Sequence, residues 1–328
     1  MLEKIWKSQA DFEGGTLNNL WVPEGLNRLE LKRLALSGTG VWIFDGAPGR
    51  KFTWQSFGHT NPNQNIYYRD DFRDKSIADW TKEGGTWDAV NKYLRGTQDL
   101  DWTQNGMTLG STSWEGIDLL MKIYGSSCPG PFDAGVHAYL RSDTARDNSY
   151  LWTVFIGQKN LYRIVNDVLT ESFEGVGAGI PLNQWRWWRL QIYTSGGHVF
   201  SRTKDWVVGA GEPGWEYTHE FTSVWRGSGC IGVGRHDRTG GSESRYDNIL
   251  ISRKEGIPSP ANCSISFKFW ASNDPSSWGS EFTDITKLPN SRFIRIEATL
   301  ARTSLLSAMP TLEDMALGYQ LLVEPIFI

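Results

Sequence analysis

Gly229-Cys230-Ile231-Gly232-Val233-Gly234 and, shortly after it, Arg245-Tyr246-Asp247-Asn248-Ile249-Leu250-Ile251-Ser252 decide how this chain is read. The two stretches have the look of short strands joined by a polar, glycine-rich loop. In the second, Tyr246, Asn248 and Leu250 fall on one side and Asp247, Ile249 and Ile251 on the other, the period of a strand rather than of a helix. Far upstream, Arg69-Asp70-Asp71-Phe72 opens a similar block. The two ends bracket roughly one domain's worth of chain, and what lies outside has the texture of a second domain cut in two.

Composition supports an all-β chain of about two domains. The 328 residues carry 33 basic and 37 acidic side chains, well mixed, for a net charge of −4. No basic stripe marks a nucleic-acid partner. The 17 Trp and 35 Gly suit many short apolar strands separated by turns. Two readings of the Trp excess stand side by side: sandwich cores need large residues to fill them, and indole faces stack on sugar rings. The three cysteines, Cys128, Cys230 and Cys263, have neither metal spacing nor the pattern of a disulfide framework. Met1-Leu2-Glu3-Lys4-Ile5-Trp6 is not followed by the apolar run of a signal peptide, and no stretch approaches the about 20 apolar residues of a membrane helix. Synthesis in the cytoplasm without membrane insertion is therefore expected.

From Trp185 to Tyr193 the alternation is clearest. Trp188, Leu190 and Ile192 share the side expected to face a core. Trp185, Trp187, Arg189, Gln191 and Tyr193 share the other, and Ser195-Gly196-Gly197 turns the chain into His198-Val199-Phe200 as a hairpin. A face that mixes aromatic rings with Arg and Gln suits a sugar-binding sheet, and equally a surface covered by a neighbouring chain. Upstream, Val136, Ala138 and Leu140 alternate with His137, Tyr139 and Arg141. The candidate carbohydrate contacts are Trp185, Trp187, Arg189 and Tyr193, together with Tyr139 and Arg141.

The flanks carry strands of their own. Val41-Trp42-Ile43-Phe44-Asp45 leaves a turn near the start, and Ile265, Phe267 and Phe269 alternate near the end. In Ser291-Arg292-Phe293-Ile294-Arg295-Ile296-Glu297-Ala298-Thr299-Leu300, residues Ile294, Ile296, Ala298 and Leu300 point inward.

Two resemblances follow. Asp70-Asp71-Phe72 and Trp80, Trp188-Arg189-Leu190-Gln191-Ile192, Gly229-Cys230-Ile231-Gly232 and Tyr246-Asp247-Asn248-Ile249 resemble, in this order, the concanavalin A-like (laminin G-like) jelly roll. Gly15-Thr16-Leu17-Asn18-Asn19 in front, with Ser272-Asn273-Asp274, Trp278, Arg292 to Leu300 and Pro310-Thr311-Leu312 behind, resemble a β-sandwich module of bacteriophage tail and other virion proteins. Together they imply a sandwich built from residues 1–67 and 255–328 with a jelly roll inserted at 68–254. They imply a virion protein of a tail or host-attachment apparatus, present in many copies, with other virion proteins and a host surface polysaccharide as partners.

Jelly rolls of this type include glycoside hydrolases, and a polysaccharide hydrolase or lyase is the alternative reading. The retaining members carry Glu-x-Asp-x-x-Glu on one strand, and this chain lacks it. Glu115 and Asp118 are nearest, but three residues apart on a strand they face opposite ways. Asp99 and Asp101 share a face only if that stretch is extended. His137, His198, His219 and His236 show neither ligand spacing nor a nucleophile partner. A non-enzymatic protein is the expectation. The jelly-roll resemblance further implies a Ca²⁺ tying the first strand region to the last, with Asp71 and Asp247 in the matching places.

Overall fold

The computed structural model describes residues 2–22, 28–31, 36–48, 50–60, 66–73, 75–98, 106–110, 114–126, 134–155, 157–181, 183–222, 225–237, 243–254, 263–303 and 310–322. The protein is all-β, built of antiparallel sheets arranged as β-sandwich and jelly roll. Its residues divide into two compact units, 66–257 and 1–65 with 258–328.

The 66–257 unit holds two sheets. In the first, strands run in the order Tyr217–Phe221, His198–Val207, Arg186–Ser195, Ile117–Gly125, Ser244–Arg253, Tyr93–Gln98, Thr86–Val90, with Ile66–Asp70 also paired to Ser244–Arg253. In the second the order is Val168–Ala178, Gln158–Val165, Ser149–Val154, Ala134–Ser142, Cys230–Asp237, Gly106–Leu109, Thr81–Lys82. The hairpin at 185–207 forms as its sequence dictates. Ser195 pairs with His198, and Gly196 and Gly197 take φ of 58° and 81°. A two-residue turn needs positive φ at both places, which a Cβ resists.

Trp188, Leu190 and Ile192 are fully buried, and burying each such side chain stabilises the fold by about 2–3 kcal/mol. The core is stitched across its middle by polar bonds. Trp152 Nε1 donates to Ser201 Oγ at 2.8 Å from sheet to sheet, and Trp188 Nε1 reaches Thr203 Oγ1 at 2.9 Å. The buried Lys159 ammonium contacts both Asp205 and Glu216, while Arg186 also holds Asp205. A buried ammonium is tolerated because carboxylates surround it.

The deciding stretches lie in opposite sheets, Cys230–Asp237 in one and Ser244–Arg253 in the other. The simple alternation along the second is interrupted. Against the neighbouring strand, Leu120 pairs with Leu250 but Lys122 with Asp247. Asn248 is the extra residue, with φ of 49°. This bulge shifts the phase, so Tyr246 joins Ile249 and Ile251 in the core, all three at 0% exposure, instead of facing away from them.

In the other unit, chain from before and after residues 66–257 is hydrogen-bonded together. Ser37–Asp45 pairs along its length with Phe293–Arg302, whose other side pairs with Cys263–Ser272. Asp314–Leu321 lies between Leu2–Trp6 and Phe52–Thr60. Ile294, Ile296, Ala298 and Leu300 are fully buried as their alternation requires. Trp6, Phe44, Trp54, Phe52 and Tyr319 pack edge-on or tilted against one another. The sequence pattern did not expose one helical turn, Gln9–Glu13. Ser8 caps it, and Asp11 returns the bond to the Ser8 backbone. Among the described residues no helix is long and apolar enough to cross a membrane.

Candidate functional site

The outer face of the first sheet of the 66–257 unit collects side chains from three neighbouring strands. Pairing of Asp118 with Gln191 and of Gln191 with Arg202 puts these three in a row. Gln191 Nε2 donates to Asp118 Oδ2 at 2.5 Å. Its Oε1 accepts from Arg202 Nε at 2.8 Å and Nη2 at 2.5 Å. Arg189 donates to both Asp118 oxygens at 2.8 and 2.6 Å and, through Nη1, to Glu212 at 2.7 Å. The Asp118 carboxylate raises the proton affinity of the Arg189 guanidinium, fixing its charge. Each side chain of this row is held by its neighbours, which sets its orientation before any ligand arrives.

Aromatic rings line the row. Tyr193 stacks on Phe200, with centroids 5.3 Å apart and planes at 16°. Trp187 stacks on Trp206 at 6.3 Å and 25°, with Lys122 Nζ 5.2 Å from the Trp187 ring. Trp215 ends an exposed glycine- and proline-containing loop over 208–214. The backbone N–H of Glu216 donates to the Thr203 carbonyl, which lays Trp215 beside Arg202 and Lys204, at 4.1 and 4.5 Å from its ring centroid. Tyr193, Phe200, Trp187 and Trp215 are all half-buried. Trp215, Phe200 and Arg202 belong to this face and were not among the residues singled out from the sequence. Strand register, which needs the hairpin partner, brings Phe200 and Arg202 there, and the return of the 208–214 loop brings Trp215.

Trp185 lies in a second cluster, against Tyr93 at 5.8 Å and Tyr124 at 5.4 Å, with Arg245 over both tyrosine rings.

Tyr139 and Arg141 are not on this face. They belong to Ala134–Ser142 in the opposite sheet, and each is 1% exposed. Tyr139 packs with Leu151 and Ile164 beneath the Arg146 guanidinium, 5.2 Å away. Arg141 has φ of 49° in a bulge. Its guanidinium donates to the Arg226 carbonyl at 3.0 Å and to Thr194 Oγ1 at 3.0 Å. The structure thus groups Trp187, Arg189 and Tyr193, sets Trp185 in a neighbouring cluster, and separates Tyr139 and Arg141 from both.

Asp71 and Asp247 come near one another. Pairing of Asp70 with Ile249 carries the chain at Asp71 toward Asn248. The Asp247 carboxyl is pushed above its ordinary value, chiefly by burial and further by the charge of Asp71. Lys122 at 3.6 Å and the backbone and amide N–H of Asn248 at 2.7 and 2.8 Å oppose that shift. Two carboxylates that repel one another in a half-buried place suit a hard divalent cation in charge and in oxygen chemistry. Among the described residues no three His, Cys, Asp or Glu side chains gather. Main-chain carbonyls or water would have to complete the six to eight ligands Ca²⁺ takes.

Glu115 is exposed and Asp118 is buried under Arg189 and Gln191. Asp99 and Asp101 lie outside the described residues. His198 pairs with Glu220 on the surface, while His137 is buried beside Tyr139 and Phe155. His219 sits among Phe173, Phe221 and Tyr217. Burial lifts the Cys230 thiol to about 12.

No family model and no curated protein matches the chain. Among solved structures it is similar to the carbohydrate binding module CBM66 from Bacillus subtilis, at 16% identity over 53% of this chain and 95% of that one, with a TM-score of 0.37. It is likewise similar to the CBM2 module of the evolved Dit of Lactobacillus casei BL23 phage J-1, at 10% identity over 57% and 94%, TM-score 0.37. A third is the exoplasmic/lumenal domain of VIP36 in a form bound to Ca²⁺ and Man3GlcNAc, at 11% identity over 60% and 92%, TM-score 0.40.

Proposed function

We propose that this chain is a non-enzymatic structural protein of a bacteriophage virion, in the tail or host-attachment apparatus, and that its 66–257 unit binds a host surface polysaccharide. One observation carries the binding reading. Half-buried aromatic rings, Tyr193, Phe200, Trp187 and Trp215, lie beside a pre-set row of donors and acceptors, Arg189, Gln191 and Arg202. Sugar rings present an apolar face and a rim of hydroxyls, and this sheet offers a flat platform with polar groups fixed at its side. The virion reading draws on the two-part flanking unit and its resemblance to virion sandwiches. Many copies on one particle would turn weak single-site binding into firm attachment. A Ca²⁺ at Asp71 and Asp247 would tie the first strand of this unit to its last.

Incubation with a panel of bacterial polysaccharides tests the binding reading. Retention of intact polymer is the expected result. New reducing ends or unsaturated ends would replace it with the hydrolase or lyase alternative. Mass spectrometry of purified particles tests the virion reading, which fails if the chain is absent from them.

A further inference from the structure

Two cations of the outer face, Arg202 and Lys254, stand apart from the ion pairs around Asp118 and Glu212. Asp118 and Glu212 are taken up by Arg189 and Lys204. Arg202 spends two nitrogens on one neutral acceptor, Gln191 Oε1. Its guanidinium carbon stands 5.5 Å from the centroid of the Tyr193 ring. Lys254, just past the end of Ser244–Arg253 and two strands from Tyr193, brings Nζ to 4.3 Å from the centroid of the same ring. Among the described residues neither Arg202 nor Lys254 has a carboxylate partner, and both are half-buried. Each cation is attracted to the ring face, yet neither charge is neutralised by a carboxylate, so an anion arriving beside Tyr193 meets attraction from both.

Resting on the saccharide-binding reading above, we propose that the polymer taken at this face is anionic. A sugar residue bearing a carboxylate or phosphate stacks on Tyr193 while Arg202 and Lys254 receive its charge. Arg202 offers a planar fork suited to either oxyanion, held in plane by Trp215 on one side and aimed by Gln191. Lys254 supplies a compact point charge from just past the end of Ser244–Arg253. Arg189, whose fork is committed to Asp118 and whose remaining nitrogen holds Glu212, orients the row and leaves the ligand's charge to Arg202 and Lys254.

The probes are polygalacturonate, hyaluronan and a glycerol-phosphate teichoic acid, each uronate polymer also in its carboxyl-reduced neutral form, with dextran as a further neutral polymer. The full chain is expected to retain at least one anionic probe about tenfold more strongly than the neutral forms, less so as salt rises. The uronate and phosphate arms distinguish the two oxyanions. Lys254→Gln and Arg202→Gln are each expected to weaken that retention several-fold, and Arg202→Lys to restore part of it. Lys82→Gln, an exposed site elsewhere on this unit, leaves it unchanged. Equal retention of the anionic polymers and their neutral forms, or an equal loss with Lys82→Gln, overturns the anionic assignment and leaves saccharide binding standing. Retention of no polymer, acidic or neutral, overturns both.

Discussion

Arg189 grips Asp118 with two parallel hydrogen bonds across adjacent strands, at 2.8 and 2.6 Å, while only 8% of the Asp118 side chain remains exposed. The pair is diagonal in the sheet, since Arg189 faces Leu120 and Asp118 faces Gln191. A bidentate bond of this kind fixes the angle of the guanidinium as well as its place. Removing one partner leaves the other charge stranded in a half-dry site. Arg189→Ala is therefore expected to cost about 2–3 kcal/mol in urea unfolding, below the full cost of breaking a buried pair because Arg189 itself is partly solvated. Asp118→Ala with Arg189→Ala should cost less than the sum of the single changes. Additive losses would show that the two do not act together.

Polysaccharide binding at this face depends on its rings. Tyr193→Ala and Trp187→Ala are each expected to weaken retention of a bound polymer about tenfold, equivalent to about 1.4 kcal/mol. Trp185→Ala, in the neighbouring cluster with Tyr93 and Tyr124, is expected to have less effect. Tyr139→Phe should be silent, because that ring is covered from ligand by Arg146. Unchanged retention in both the Tyr193 and Trp187 variants moves the binding site elsewhere.

Calcium at Asp71 and Asp247 has a thermal signature. A ligand at 100 times its Kd stabilises the state that binds it by about 2.7 kcal/mol. Ca²⁺ should raise the melting temperature by several degrees and EDTA should reverse the rise. Asp71→Asn and Asp247→Asn should each abolish the response to Ca²⁺. A melting curve indifferent to both Ca²⁺ and EDTA would remove the metal from the account.

The thiol of Cys230 donates toward the Ser142 carbonyl at 3.2 Å and is raised to about 12 by burial. The thiolate is the reactive form. At pH 8 a thiol reagent should leave Cys230 unmodified in the native protein and modify it at once in urea, as peptide mass spectrometry would read. Rapid native labelling would mean that the strand Cys230–Asp237 opens readily.

Acid should loosen the 66–257 unit through His219. Its imidazole is pushed below the ordinary value by burial among Phe173, Phe221 and Tyr217, opposed by the charges of Glu171 and Glu220. A lowered folded-state value means the fold favours the neutral ring. That stability is complete above the unfolded value near pH 6.5 and is lost as pH falls through the folded one. The melting temperature of His219→Phe should accordingly fall less between pH 7.5 and pH 5.0 than that of the parent protein. Parallel falls would assign the acid response to other groups.

Period-two patterning carried most of the fold. The inward sets Trp188, Leu190, Ile192 and Ile294, Ile296, Ala298, Leu300 needed only their own strands to be read, because burial on one face writes directly into alternate positions. Bulges did not announce themselves. The extra residue at Asn248 reverses the phase of Tyr246, and the one near Arg141 carries a charged side chain off the face its neighbours suggest. The outer face was legible in half. Trp187, Arg189 and Tyr193 lie on one strand, whereas Arg202, Trp215 and Lys254 arrive through register and loop return, which no local pattern encodes. Tyr139 looked like a surface ring because alternation reports a face but not what covers it.

Asp45 and Arg292 join their side chains by two hydrogen bonds across 247 residues of sequence. On a ribosome, Ser37–Asp45 therefore waits for its neighbour Phe293–Arg302 until the whole of 66–257 has been made. The intervening segment, whose partners are all nearer in sequence, can close first and bring the two distant strands within reach. Errors in it would then be felt as failed assembly of the other body, and a released chain truncated near residue 260 should resist protease across the insert while its leading strands remain cleavable.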